Sequence, residues 1–218
     1  MTNEELKQLK DNLWNTADNL RANSGLKASE YATPILGLIF LKFIDSKYKK
    51  YETETLEIFD KEKGTRLERS ISEIAIEKCG FYLPDNAKYN YLLTLPEKSN
   101  FAQEIKNAME GIEEYASDLK DVLPKEEYFS LIDQVTNKSV LPALLKNFED
   151  IPTDTESDIF GEVYEYFLGE FALKEGQGGG EFFTPSTVVK YMVEVLAPTE
   201  GKILDMNTMA LIHSVANH

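Results

Sequence analysis

The stretch from Gly176 to Asp205, GQGGGEFFTPSTVVKYMVEVLAPTEGKILD, constrains this 218-residue chain more than any other. A glycine-rich turn runs into Phe182-Phe183, and Thr184-Pro185 then opens an amphipathic helix carrying Val188, Val189, Met192, Val193 and Leu196. Thr184 is placed to cap that helix and Pro185 to occupy its first position, where a missing N–H costs nothing. Pro198 stops the helix, and a short apolar run, Lys202-Ile203-Leu204, ends on Asp205. This order has the shape of the entrance to a cofactor-binding α/β domain. Only thirteen residues follow Asp205, too few to complete such a domain, because one strand forms no stable sheet.

The chain before this stretch is long enough to bury a substantial core. A hydrophobic fraction of 42%, with eleven Tyr and twelve Phe, is that of a globular protein. The most apolar run, Ile35 to Leu41, is too short to span a bilayer. The N-terminus, MTNEELKQLK, has neither a signal-peptide core nor a basic presequence, and Cys79 has no second cysteine to pair with. Together these predict a reducing, cytoplasmic location. The net charge of −15 opposes strong unaided binding of nucleic acid, which needs clustered Lys and Arg. DNA stays possible as a substrate when a partner supplies the grip.

Periodicity predicts helices along most of the chain. Thr2-Asn3-Glu4-Glu5 has capping-box spacing, and Leu6, Leu9, Leu13, Ala17 and Leu20 follow at helical intervals, with Trp14 packed beside them. A second helix, apolar nearly all round from Ile35 to Ile44, is predicted at the centre of the core. Either Ser29 or Thr33 caps it, depending on whether Pro34 is tolerated inside, and Asp45 to Lys50 should return to water. Further helices are expected over 52–60, 66–79, 100–122, 125–135 and 139–148, the last with Pro142 in its first turn. The aromatic segment 81–95 reads as a short strand pair or as a loop pinned by tyrosines. Glu110, Glu113, Glu114 and Asp118 read as a solvated face. A linker is placed over 151–157, and after it a helix with Ile159, Val163, Tyr166, Phe167 and Phe171 on one stripe.

Several chemistries are absent from these residues. Histidine occurs only at His213 and His218, so the main body has no Ser-His-Asp or Cys-His site and no ordinary zinc site. The glycines at 176–180 follow a helix instead of a strand and fail the dinucleotide-binding context. What remains is the segment 180–186. A helix N-terminus offers free N–H groups to a carboxylate or phosphate, and Phe182 and Phe183 offer faces to an adenine ring or a cation. A ligand with a carboxylate, an aromatic ring and a cationic centre matches all three; S-adenosylmethionine has those parts.

The segment GEFFTPSTVVKYMVEVLAP, with GKILD after it, resembles the cofactor entrance of adenine-N6 DNA methyltransferases. More narrowly, it resembles the methylation (M) subunit of type I restriction–modification systems. Phe160 to Leu168 and the N-terminal run LWNTADNLRANSGLKASEYATPILGLIFLKFID are similar to the same family, so the likeness covers essentially residues 1 to 205. It implies a mainly α chain: a helical N-terminal domain (1–153), the entrance of a Rossmann-like α/β methyltransferase domain (154–205), incomplete here, and a divergent tail (206–218). It further implies methyl transfer from S-adenosylmethionine to adenine N6 of a flipped base. Glu181, Phe182, Phe183, Thr184, Pro185 and Ser186 would line the cofactor, and Asp205 would open the Asp-Pro-x-x-Gly-x-Gly motif. The implied partners are a specificity subunit, a second M subunit, a restriction subunit, and DNA through their complex. The departure lies after Asp205: Met206-Asn207 replaces the expected Pro and glycine loop, and no Asn-Pro-Pro-aromatic motif is present. The expectation is therefore a truncated or frameshifted M subunit without catalytic residues of its own. The alternative is a non-catalytic helical module that binds M or specificity subunits.

Overall fold

A computed structural model describes residues 2–24, 26–134, 139–153, 159–175 and 186–197. Among these residues every regular element is helical, and the sequence-predicted α/β part is not displayed. The chain divides into two compact units, Met1–Gly176 and Gln177–His218.

Helix α1 (Asn3–Ser24) opens on the predicted capping box: Glu5 N donates to Thr2 Oγ1 at 3.2 Å and Thr2 N donates to Glu5 Oε2 at 2.7 Å. Its stripe buries Leu6, Leu13 and Ala17. Helix α2 (Ala28–Glu62) is one 35-residue element, so the separate helix expected over 52–60 is its continuation. It starts before either predicted cap and runs through Pro34. The Tyr128 hydroxyl donates to the Pro34 carbonyl at 3.0 Å, tying another helix to the place where the proline interrupts the ladder.

The polar run after Ile44 returns to water on one face only, where Lys47, Lys49 and Lys50 are exposed. Asp45, Ser46 and Tyr48 are buried, because α2 keeps neighbours on the other side: Tyr48 packs on Phe81 and Tyr82. Further along α2, Thr55 is buried and its Oγ1 has no hydrogen-bond partner. An unpaired buried hydroxyl is destabilising, so Thr55→Val should raise the unfolding free energy by about 1 kcal/mol. A higher urea midpoint at unchanged slope checks this; a lower midpoint would show that the hydroxyl has a partner.

Helix α3 (Ile71–Cys79) starts later than expected because Ser70 and Glu73 form a second capping box, with Ser70 N to Glu73 Oε2 at 2.8 Å. Gly80 ends it in the left-handed region at φ 88°. The aromatic segment after it is neither a strand pair nor an extended loop: a 3-10 turn (Asp85–Ala87) leads into the short helix α4 (Tyr89–Thr94). Tertiary contacts override its strand-like composition. Asp45 Oδ1 accepts from Tyr89 N at 2.9 Å, so α2 supplies the cap that Lys88 lacks, and Tyr89 Oη donates to the Leu145 carbonyl at 2.7 Å.

Helix α5 (Phe101–Tyr115) is capped by Asn100 and stops seven residues short of the expected end, before a 3-10 turn (Ser117–Leu119) and Asp121 at φ 60°. Helices α6 (Glu127–Gln134) and α7 (Val140–Glu149) follow, with Pro142 in the first turn of α7 as predicted. Helix α8 (Ile159–Glu175) buries Ile159, Val163, Phe167 and Phe171. The central helix α2 packs against α3, α6, α7 and α8. No helix of the described residues is long and apolar enough to cross a membrane. In the second unit, helix α9 (Ser186–Leu196) is the described element.

Candidate functional site

The predicted cofactor approach is bracketed by α8, which ends at Glu175, and α9, which starts at Ser186. The helix therefore begins immediately after Thr184-Pro185, where the sequence places its cap and first turn. Glu181, Phe182, Phe183, Thr184, Pro185 and Asp205 lie outside the described residues, as does the side chain of Ser186. The linker expected over 151–157 also falls largely outside them. Along α9, Val188, Met192 and Leu196 of the predicted stripe are 45%, 46% and 71% exposed. Eleven residues of isolated helix are marginal in water.

Within the helical unit the carboxylate run splits. Glu110, Glu114 and Asp118 are exposed as expected, but the Glu113 side chain is only 7% exposed. It accepts from Leu123 N at 3.1 Å and pairs with Lys125, so it fixes the turn after α5. Glu110, Glu113 and Glu114 line an open recess of ≈ 570 Å³ together with Ile76, Tyr115 and Asp121.

Sequence reasoning missed a second polar cluster, at the junction of α2, α4 and α7. Asp45 Oδ2 receives no hydrogen bond of good geometry but meets Lys49 Nζ at 2.8 Å. The Lys42 ammonium lies 5.1 Å from the centre of the Tyr89 ring. Burial holds that ammonium below the ordinary lysine range, with Lys49 adding repulsion and Asp45 opposing it. The i,i+4 spacing of Asp45 and Lys49 was the available signal. The arrangement caps α4 and fixes packing; it presents no nucleophile to solvent.

Trp14 has a packing role. It is buried, with Phe167 and Phe171 edge-on at 5.3 and 5.0 Å, and it is not available for base stacking. Much of the basic charge is also used internally: Lys10 pairs with Glu162, Arg69 with Glu62 and Glu77, Lys78 with Glu54, and Lys88 with Glu52 and Asp85. Cations paired in this way are correspondingly weak at neutralising phosphate.

Comparison with known proteins accounts for this arrangement. Residues 9–148 match the family model described as the HsdM N-terminal domain, and residues 155–210 match the model described as N-6 DNA Methylase. The chain belongs to the family of type I restriction enzyme methylase subunits. It is 31% identical to the MjaIX methylase subunit of Methanocaldococcus jannaschii, over 91% of this chain and 37% of that protein. It is 32% identical to the HindI methylase subunit of Haemophilus influenzae, over 63% of this chain and 30% of the relative. With the EcoKI methylase subunit of Escherichia coli it shares 22% identity, over 88% of this chain and 31% of the other. The chain thus spans about a third of the length of the curated relatives it matches.

Proposed function

We propose that these residues form the helical unit and the cofactor approach of an adenine-N6 DNA methylase subunit of a type I restriction–modification system. The observation that carries this reading is the start of α9 directly after Phe182-Phe183-Thr184-Pro185, inside the stretch matched to N-6 DNA Methylase. S-adenosylmethionine would supply the methyl group. The residue types fit it: Phe182 and Phe183 suit the adenine or the sulfonium, and the first N–H groups of α9 suit the carboxylate. Asp205 would be the acidic residue that opens the first cofactor motif.

Within these 218 residues no glycine loop follows Asp205 and no Asn-Pro-Pro-aromatic motif is present to orient an adenine amino group. This stretch therefore contributes binding and assembly, and the chemistry needs residues it does not contain. The non-catalytic reading, a helical module for M or specificity subunits, is favoured by the closed core of α1 to α8. The specificity subunit, a second M subunit and the restriction subunit are the partners in either case, in the cytoplasm, with DNA reached through their complex.

Co-expression of the tagged chain with the specificity subunit of its own system tests the proposal. A stoichiometric complex that survives gel filtration is the expected result. Recovery of the chain alone, from cells where both proteins are soluble, would count against it.

A further inference from the structure

Helix α8 belongs by sequence to one family match and by packing to the other. Its residues lie within the stretch matched to N-6 DNA Methylase, yet it sits in the unit Met1–Gly176 and closes that unit's core. The buried stripe Ile159, Val163, Phe167 and Phe171 recurs every four residues and faces α1 and α2. Phe167 meets Trp14 of α1 and Phe148 of α7, while Phe160 meets Phe43 of α2.

Polar bridges to α1 run along the flank of that stripe. Lys10 Nζ pairs with Glu162 at 3.1 Å, the Tyr166 hydroxyl donates to Asp11 at 2.6 Å, and Lys174 pairs with Asp18. Asp18 is held in turn by Arg21, whose other nitrogen donates to the Leu26 carbonyl at 2.8 Å in the turn between α1 and α2. Lys174 also lies over the Trp14 ring. The three bridges fall at the first, second and last turns of α8, so they fix its register as well as its attachment.

We infer that α8 is the joint of the subunit: it is the anchor by which the methylase segment is built into the helical unit, and the separable boundary follows Glu175 instead of the 149–154 stretch between the two family matches. Apolar burial supplies the attachment and the α1 bridges set its register. The inference does not depend on methyl transfer, and its test has no activity readout.

The test uses the full 218-residue chain with a site-specific protease sequence inserted between Asp154 and Asp158. After cleavage, native mass spectrometry and Trp14 fluorescence follow the two pieces. They should remain one complex at about 1 µM, with the emission of the intact chain. Lys10→Glu should weaken that complex by about fivefold through repulsion of Glu162, and adding Glu162→Lys should restore it. Dissociation of the nicked chain at that concentration would overturn the inference. So would equal weakening by the single and the double substitution, because α8 would then be held without register.

Discussion

Replacing Phe167 by alanine should lower the unfolding free energy of the helical unit by about 3–5 kcal/mol, the largest effect expected of any single truncation here. Phe167 is fully buried, and its ring meets Trp14, Phe148, Tyr166 and Phe171 at centroid distances of 5.3 to 6.4 Å. The substitution removes the transfer free energy of a phenyl group and leaves a space that rigid aromatic neighbours fill poorly. It also removes edge-to-face contacts worth about 0.5–1.5 kcal/mol beyond burial. Urea denaturation followed by far-ultraviolet circular dichroism measures it. A loss under about 1 kcal/mol would show that α8 is peripheral to the unit, contrary to its place in the core.

Gly37→Ala is the second large effect, and its sign separates packing from propensity. Alanine in a helix interior is ordinarily better than glycine by about 1 kcal/mol. Here a Cβ would stand 2.3 Å from the Tyr128 hydroxyl oxygen and 2.7 Å from Pro124 Cγ. Tyr128 is fully buried and bonded to the Pro34 carbonyl, so it cannot move aside without losing that bond. The expected net loss is about 3 kcal/mol. Tyr128→Phe alone should cost about 1 kcal/mol, and Gly37→Ala made in that background should cost less than in the wild type by at least about 1 kcal/mol. Additive losses in the double-mutant cycle would place the clash elsewhere. Gly37 is thus a point of close approach in α2, and its partner is the tyrosine of α6.

The helical character of the N-terminal region was legible where local chemistry decides it. Thr2 and Glu5 announce the start of α1, Gly80 ends α3, and Pro142 opens α7, each through a backbone requirement met within a few residues. Failures fall where distant residues decide. Asp45 looks like a solvent-facing charge until α4 arrives to be capped by it, and the aromatic 81–95 segment looks strand-like until Asp45 and Leu145 hold it as a helix. Glu113 is one member of an acidic run in sequence, and only the fold brings Lys125 and Leu123 N to it. The candidate site was legible as a motif because capping and glycine chemistry are local. A pocket is assembled from several strands and loops, and the spacing of Glu181 to Ser186 carries no information about those partners.

The acid response of the joint follows from the same geometry. Burial pushes the Asp18 carboxyl up, but hydrogen bonds from Lys174 and Arg21 outweigh it and hold it below the ordinary carboxylate value of 3.8. A depressed carboxyl contributes stability that is complete above the unfolded value and is lost as pH falls through the folded one. The contribution of Asp18 is thus intact at neutral pH and disappears only under strongly acid conditions.

The chain belongs to the methylase-subunit family, and we propose that this stretch supplies assembly without methyl transfer. The most direct measurement incubates the purified chain with unmethylated duplex DNA and S-adenosylmethionine carrying a radiolabelled methyl group, then digests the DNA to nucleosides. No label in N6-methyl-2′-deoxyadenosine above a control without protein is expected. Labelled N6-methyl-2′-deoxyadenosine formed in proportion to the chain would contradict this reading, because the residues that orient the adenine amino group would then have to lie within these 218.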